Sequence, residues 1–121
     1  MEVLTNFLFL CARNRRRSPT AEQVSPSRPG VETASAGLAP DAEEQVTPDH
    51  LEWANIIFVM ERAHRAKLQR RFGRHLKSAR VVCLDIPDDY EFMQPELAAL
   101  LVKTVGPHLR SFSLKGRREP L

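Results

Sequence analysis

The chain has little cysteine: Cys11 and Cys83 are the two thiols among 121 residues. Two are too few for a disulfide scaffold, so a reducing, cytoplasmic setting is expected. Long apolar runs are also missing, and nothing approaches the ~20 residues needed to cross a bilayer. The stretch from Met1 to Leu10 is apolar but short, is interrupted by Thr5 and Asn6, and has no leading positive charge. Neither a membrane span nor a signal peptide is expected from it. Five Gly and nine Pro follow no period, which excludes a collagen-like or low-complexity chain. His50, His64, His75 and His108 have no metal-ligand spacing, and no metal or other cofactor is expected.

What is present is ordinary globular composition, with 42% hydrophobic and 27% charged residues. That is enough apolar surface to offset the entropy of ordering one small domain. The domain is expected over residues 1–112, followed by a polar, mobile tail over 113–121. The net charge of +3 is unevenly spread. Eight Arg or Lys and no acid lie between Arg62 and Arg80, whereas Asp41–Glu52 and Asp85–Glu96 each carry five acids and no base. Such blocks polarise the surface and steer anions to one side, although a solvated helix face is the commoner origin of a basic run. No zinc, helix-turn-helix or RNA-binding signature accompanies the charge, so a nucleic-acid partner is not expected.

Along the chain, strand and helix signals alternate. Val3 to Leu10 is a dense apolar run, suited to a strand covered on both faces. Ser18-Pro19 opens a short helix over Thr20–Val24, and Gly30–Ala36 reads as a second strand. Thr47-Pro48-Asp49 starts a helix running to Trp53 or Ala54, and Ile56–Met60 is a third strand. Glu61–Phe72 is helical by the spacing of His64, Leu68 and Phe72. Arg80–Leu84 is a fourth strand, with Cys83 expected to be buried and inert within it. Pro95 starts a last helix in which Leu97, Leu101 and Val105 recur, ending near Leu109. This alternation predicts an α/β fold: a three-layer sandwich with a four-stranded parallel sheet and helices on both faces. Ligands of such sheets bind beyond the carboxyl ends of the strands, where the loops Cys11–Ser18 and Asp85–Tyr90 fall.

The loop Cys11-Ala12-Arg13-Asn14-Arg15-Arg16-Arg17-Ser18 joins a strand to a helix N-terminus. Its amides and the helix dipole make a cradle for a tetrahedral dianion. An Arg six residues after the Cys, Arg17, can return across the loop and hold two oxygens in bidentate fashion. In that positive field Cys11 would act as a thiolate nucleophile, and Ser18 can donate a hydrogen bond to the sulfur. In a chain this rich in Arg the Cys–Arg spacing alone is a weak signal. Its weight comes from the strand before it, Ser18-Pro19 after it, and an acidic loop beyond another strand.

Phe9-Leu10-Cys11-Ala12-Arg13-Asn14-Arg15-Arg16-Arg17-Ser18-Pro19-Thr20-Ala21-Glu22 resembles the signature of the low-molecular-weight protein tyrosine phosphatases. That signature runs apolar-Cys-x-Gly-Asn-x-Cys-Arg-Ser-Pro, with Ala-Glu soon after. Ser35-Ala36-Gly37 is similar to the family's Ser-Ala-Gly turn, and Ile86-Pro87-Asp88-Asp89-Tyr90 to its Asp-Pro-Tyr acid loop. The resemblance spans most of residues 1 to 110 and is nearest to a short bacterial branch. It implies a phosphomonoester hydrolase acting through a phosphocysteine on Cys11. Arg17 and the amides of Ala12, Arg13, Asn14, Arg15, Arg16 and Ser18 would hold the phosphoryl group, with Asp88 as general acid. Asn14 would brace the loop through Ser35, and Tyr90 would line the entrance. The implied partner is a phosphotyrosine protein or a small aryl phosphate.

Three positions depart from the pattern: Arg13 stands for Gly, Arg16 for the second Cys, and Asp89 for the Pro after the acid. With Arg15, the first two would crown the pocket and favour acidic substrates. Motif register places the acid at Asp88 rather than Asp85. Two other readings stay open. One is an arsenate reductase, for which Cys83 in a strand is a poor resolving thiol. The other is a phosphate- or phosphopeptide-binding module without turnover.

Overall fold

The computed structural model describes residues 5–12, 20–21, 31–42, 44–76, 79–86 and 90–117, with side chains to residue 107. Four strands, β1 (Thr5–Cys11), β2 (Val31–Gly37), β3 (Ile56–Val59) and β4 (Arg80–Cys83), form one parallel sheet. Their order is β2-β1-β3-β4. The helices are α1 (Pro48–Trp53), α2 (Arg62–Phe72) and α3 (Pro95–Arg117), with a 3-10 turn over Gly73–His75.

β1 is central, and Phe7 to Leu10 are fully buried because both of its faces are covered. Phe7, Phe9 and Cys11 point to the side where Leu97, Leu101 and Val105 of α3 pack, with Phe58 of β3 beside them. Leu8 and Leu10 point to the other side, against Leu51 of α1 and Leu68 of α2. The continuous apolar run is therefore two interleaved sets, one for each helical layer. The polar pair that interrupts its start has its own task. Asn6 N–H donates to Asn55 Oδ1 at 2.7 Å and its side-chain amide donates to the Trp53 carbonyl at 2.8 Å, which fixes the amino end of β1.

Two histidines, without metal-like spacing, serve as helix caps. His50 Nδ1 accepts the Thr47 N–H at 3.0 Å at the start of α1, and His64 Nδ1 accepts the Glu61 N–H at 3.2 Å at the start of α2. Each satisfies a backbone donor that the helix itself leaves unpaired. Among the described residues no group of three or more His, Cys, Asp or Glu could hold a metal ion.

Two expectations need correction. The final helix does not end near Leu109 but continues through Ser113 to Arg117, across Pro107. The leucine repeat marks only the part that packs on the sheet, whereas helical hydrogen bonding extends past it. Cys83 is not buried: it is half-exposed on an edge strand, where one flank has no neighbouring strand among the described residues. Of the predicted first helix only Thr20 and Ala21 are described, and both are helical.

Phe58 stacks on Phe9 at 5.1 Å between ring centroids and tilts against Phe7 at 5.2 Å, joining β1 to β3. Phe58→Ala is expected to lower unfolding free energy by about 3–5 kcal/mol. The measurement is urea unfolding, with the midpoint falling and the slope unchanged.

Candidate active site at the carboxyl end of the central strand

Sequential connections pass from β1 to β2 on one side and then return across β1 to β3 on the other. The order thus reverses at β1, and the carboxyl ends of β1 and β3 flank the crevice where open α/β sheets bind ligands. Cys11 is the last residue of β1 and is 3% exposed. Its partner on β2 is Gly37, so no side chain stands beside the thiol on that strand. Ser35 lies opposite Phe9 and shares the Cys11 face of the sheet.

The backbone leaving β1 is held on one flank. The Cys11 carbonyl accepts the Leu38 N–H at 3.0 Å, and the Ala12 carbonyl accepts the Ala39 N–H at 2.7 Å. Leu38 is fixed in turn, because its carbonyl accepts Arg71 Nη1 at 2.8 Å from α2. The Ser-Ala-Gly turn and the two residues after it therefore set the direction in which the chain enters the loop. Arg13, Asn14, Arg15, Arg16, Arg17 and Ser18 lie outside the described residues, and so does the expected Asn14–Ser35 contact. Both ends of that loop rest in one core, since Ala21 belongs to the same buried cluster as Cys11.

The acidic segment begins by extending the β3–β4 ladder: Leu84 N–H donates to the Val59 carbonyl at 2.9 Å and Ile86 N–H to the Met60 carbonyl at 2.8 Å. Between them Asp85 has φ 57°, a left-handed conformation that Asp tolerates better than most residues. Its carboxylate faces Cys83 Sγ at 3.7 Å and Arg62 Nε at 3.8 Å. Cys83 packs on the α2 side of the sheet, opposite to Cys11. Ile86 and Tyr90, by contrast, both pack into the Cys11 cluster, Ile86 fully and Tyr90 partly buried. Pro87, Asp88 and Asp89 lie outside the described residues.

A tie that the sequence did not reveal joins the two loops. Met93, with φ 61°, donates its N–H to Thr20 Oγ1 at 2.8 Å, and Thr20 is fully buried. A left-handed Met is unusual and persists only where its surroundings fix it. The sequence signal was present as Thr next to Ser18-Pro19, but its partner is 73 residues away. Downstream, Glu96 at the start of α3 accepts its own backbone N–H and the Gln94 side-chain amide, which lowers its pKa below the usual glutamate value.

The chain with this parallel β2-β1-β3-β4 sheet has the α/β fold of solved low-molecular-weight protein tyrosine phosphatases. Among solved structures, the chain is similar to the YwlE arginine phosphatase from Geobacillus stearothermophilus, at 21% identity and TM-score 0.74, covering 96% of this chain and 99% of that one. It is also similar to a low-molecular-weight phosphotyrosine phosphatase from Vibrio cholerae O395, at 20% identity and TM-score 0.74, covering 93% and 99%. A third is the tyrosine phosphatase Wzb from Escherichia coli K30 in complex with phosphate, at 18% identity and TM-score 0.70, covering 90% and 99%. No protein-family model matches the sequence, and no curated protein does.

Thr20→Val keeps the shape but removes the acceptor for the Met93 N–H. The variant is expected to lose about 1–3 kcal/mol, with amide exchange at Met93 accelerated more than exchange in β1. Native-state hydrogen exchange by NMR measures both.

Proposed function

We propose that the chain is a cysteine-dependent phosphomonoester hydrolase of the protein tyrosine phosphatase type. The observation that carries this reading is the placement of Cys11: it ends the central strand at the switch point, on the face where Ile86 and Tyr90 also pack. The segment between Ile86 and Tyr90 contains Asp88, so its two flanks lie on the nucleophile's side of the sheet. Asp85 is turned to Cys83 and Arg62 on the other side, which supports Asp88 as the acid.

In the proposed reaction the Cys11 thiolate attacks phosphorus in line with the leaving oxygen. The S–P bond forms, the P–O bond breaks, and Asp88 gives its proton to the departing phenolate. Arg17 and the loop amides hold the three equatorial oxygens as charge shifts onto them. Water then attacks the phosphocysteine, Asp88 takes a proton from it, and inorganic phosphate leaves as the thiolate is restored. Ser18 donates a hydrogen bond to that sulfur. Asn14 and Ser35 brace the loop, and Tyr90 packs against an aryl substrate such as phosphotyrosine. No step requires a metal. Catalysis needs Cys11 as a free thiol, which fits a reducing cytoplasm. Among the described residues no helix is long and apolar enough to cross a membrane.

The arsenate reductase reading loses support from the position of Cys83. It lies on β4, two strands from β1, and on the opposite face from Cys11. Two strand spacings are about 10 Å, beyond the reach of a disulfide without backbone movement.

The test is para-nitrophenyl phosphate hydrolysis by the wild type and three variants. Cys11→Ser is expected to abolish turnover, and Asp88→Asn to lower kcat about 10²–10⁴-fold. Asp85→Asn is expected to stay within about threefold of wild type, since that carboxylate faces away from the thiol. A wild type that binds vanadate but does not hydrolyse the ester would convert the assignment to a phosphate-binding module.

A further inference from the structure

The basic block from Arg62 to Arg80 has no part in the chemistry above, yet the fold gathers three of its arginines at one place. β4 pairs with β3 on one flank, and among the described residues no strand lies on the other. Arg80 and Leu84 direct their backbone N–H groups to β3. Strand alternation therefore turns the N–H and C=O groups of Val81 and Cys83 outward. Alongside this edge runs an open groove of about 870 Å³, lined by Arg62 and Arg65 of α2, by Arg80 to Cys83, and by Asp85.

Among the described residues the groove holds three guanidinium groups against one carboxylate. The Arg62–Asp85 contact is long, at 3.8 Å, and both side chains are largely exposed, so it neutralises little. Neither Arg65 nor Arg80 has an acid within ion-pair distance among the described residues. We propose that this groove binds an extended acidic peptide, added to β4 as a fifth strand. The outward backbone groups supply both donors and acceptors, which pair with a peptide backbone; a phosphodiester backbone offers only acceptors. Among the described residues the groove also has no aromatic ring on which a nucleobase would stack. Acidic side chains of the added strand that fall on the α2 face reach Arg62 and Arg65, and the intervening side chains find an apolar footing beside half-buried Val82 on the other face. The surface stands independently of the phosphatase reading, because the peptide needs no phosphate and the groove excludes Cys11.

The experiment uses the full chain and a short fluorescent, unphosphorylated peptide alternating Glu and Val. Anisotropy is expected to show saturable binding that is retained in Cys11→Ser and not competed by inorganic phosphate. The double variant Arg65→Glu, Arg80→Glu is expected to weaken it by roughly tenfold or more. Two further readouts test strand addition itself. Exchange of the Val81 and Cys83 amides should slow on binding, and the same peptide with alternate backbone nitrogens methylated should fail to bind. Cys83→Pro should also block binding while leaving the fold intact, since its N–H makes no bond within the sheet. Equal binding of the methylated peptide, or no effect of the arginine reversals, overturns the proposal. So does tighter binding of a single-stranded oligonucleotide of equal charge. Absence of any binding overturns it too, and leaves the arginines as charges that keep edge strands apart.

Discussion

Everything in this small domain depends on the double burial of β1. A parallel strand between two neighbours, with helices on both faces, has no polar side on which to relax, so Phe7 to Leu10 admit neither a shift of register nor a slide. That immobility is transferred to the residue at its end. Cys11 needs no elaborate support of its own, because the strand carries it to the crevice and the amides of Leu38 and Ala39 hold its own carbonyl and that of Ala12. Catalytic groups on rigid elements keep their geometry better than groups on loops.

The same arrangement sorts the acids near the site without reference to any motif. Side chains that alternate along β3 and β4 are assigned to one helical layer or the other. The alternation continues past β4: Asp85 keeps its carboxylate on the Cys83 side, and the next side chain, Ile86, packs with Leu84 in the Cys11 layer. One residue of phase thus separates a surface contact from a place in the Cys11 cluster.

Much of this was legible in the sequence because each element announces itself locally. The apolar runs gave β1 and β3, Thr47-Pro48 gave the start of α1, and the leucine spacing gave the packed face of α3. Cys11 was legible from its neighbours, as a polar loop beginning at the end of a buried strand. What stayed hidden was relational. Cys83 looked internal because its strand is apolar, and only the sheet order reveals an edge. Arg71 looked like one more solvated base until its guanidinium met the Leu38 carbonyl. Thr20 and Met93 have no reason to be associated until the fold brings them together.

The bond between Thr20 and Met93 has a counterpart in the core around Cys11, which is also assembled from distant parts of the chain. Cys11 ends β1, whereas Ile86, Leu97, Leu101 and Val105 of its cluster belong to the segment after β4 and to α3. Without α3, Cys11 and the phenylalanines beside it on β1 would lose the cover of Leu97, Leu101 and Val105. A chain truncated before α3 would therefore carry the same thiol in a different, partly uncovered setting. The setting of this cysteine is in that sense a property of the whole fold, because it is complete only with α3 in place.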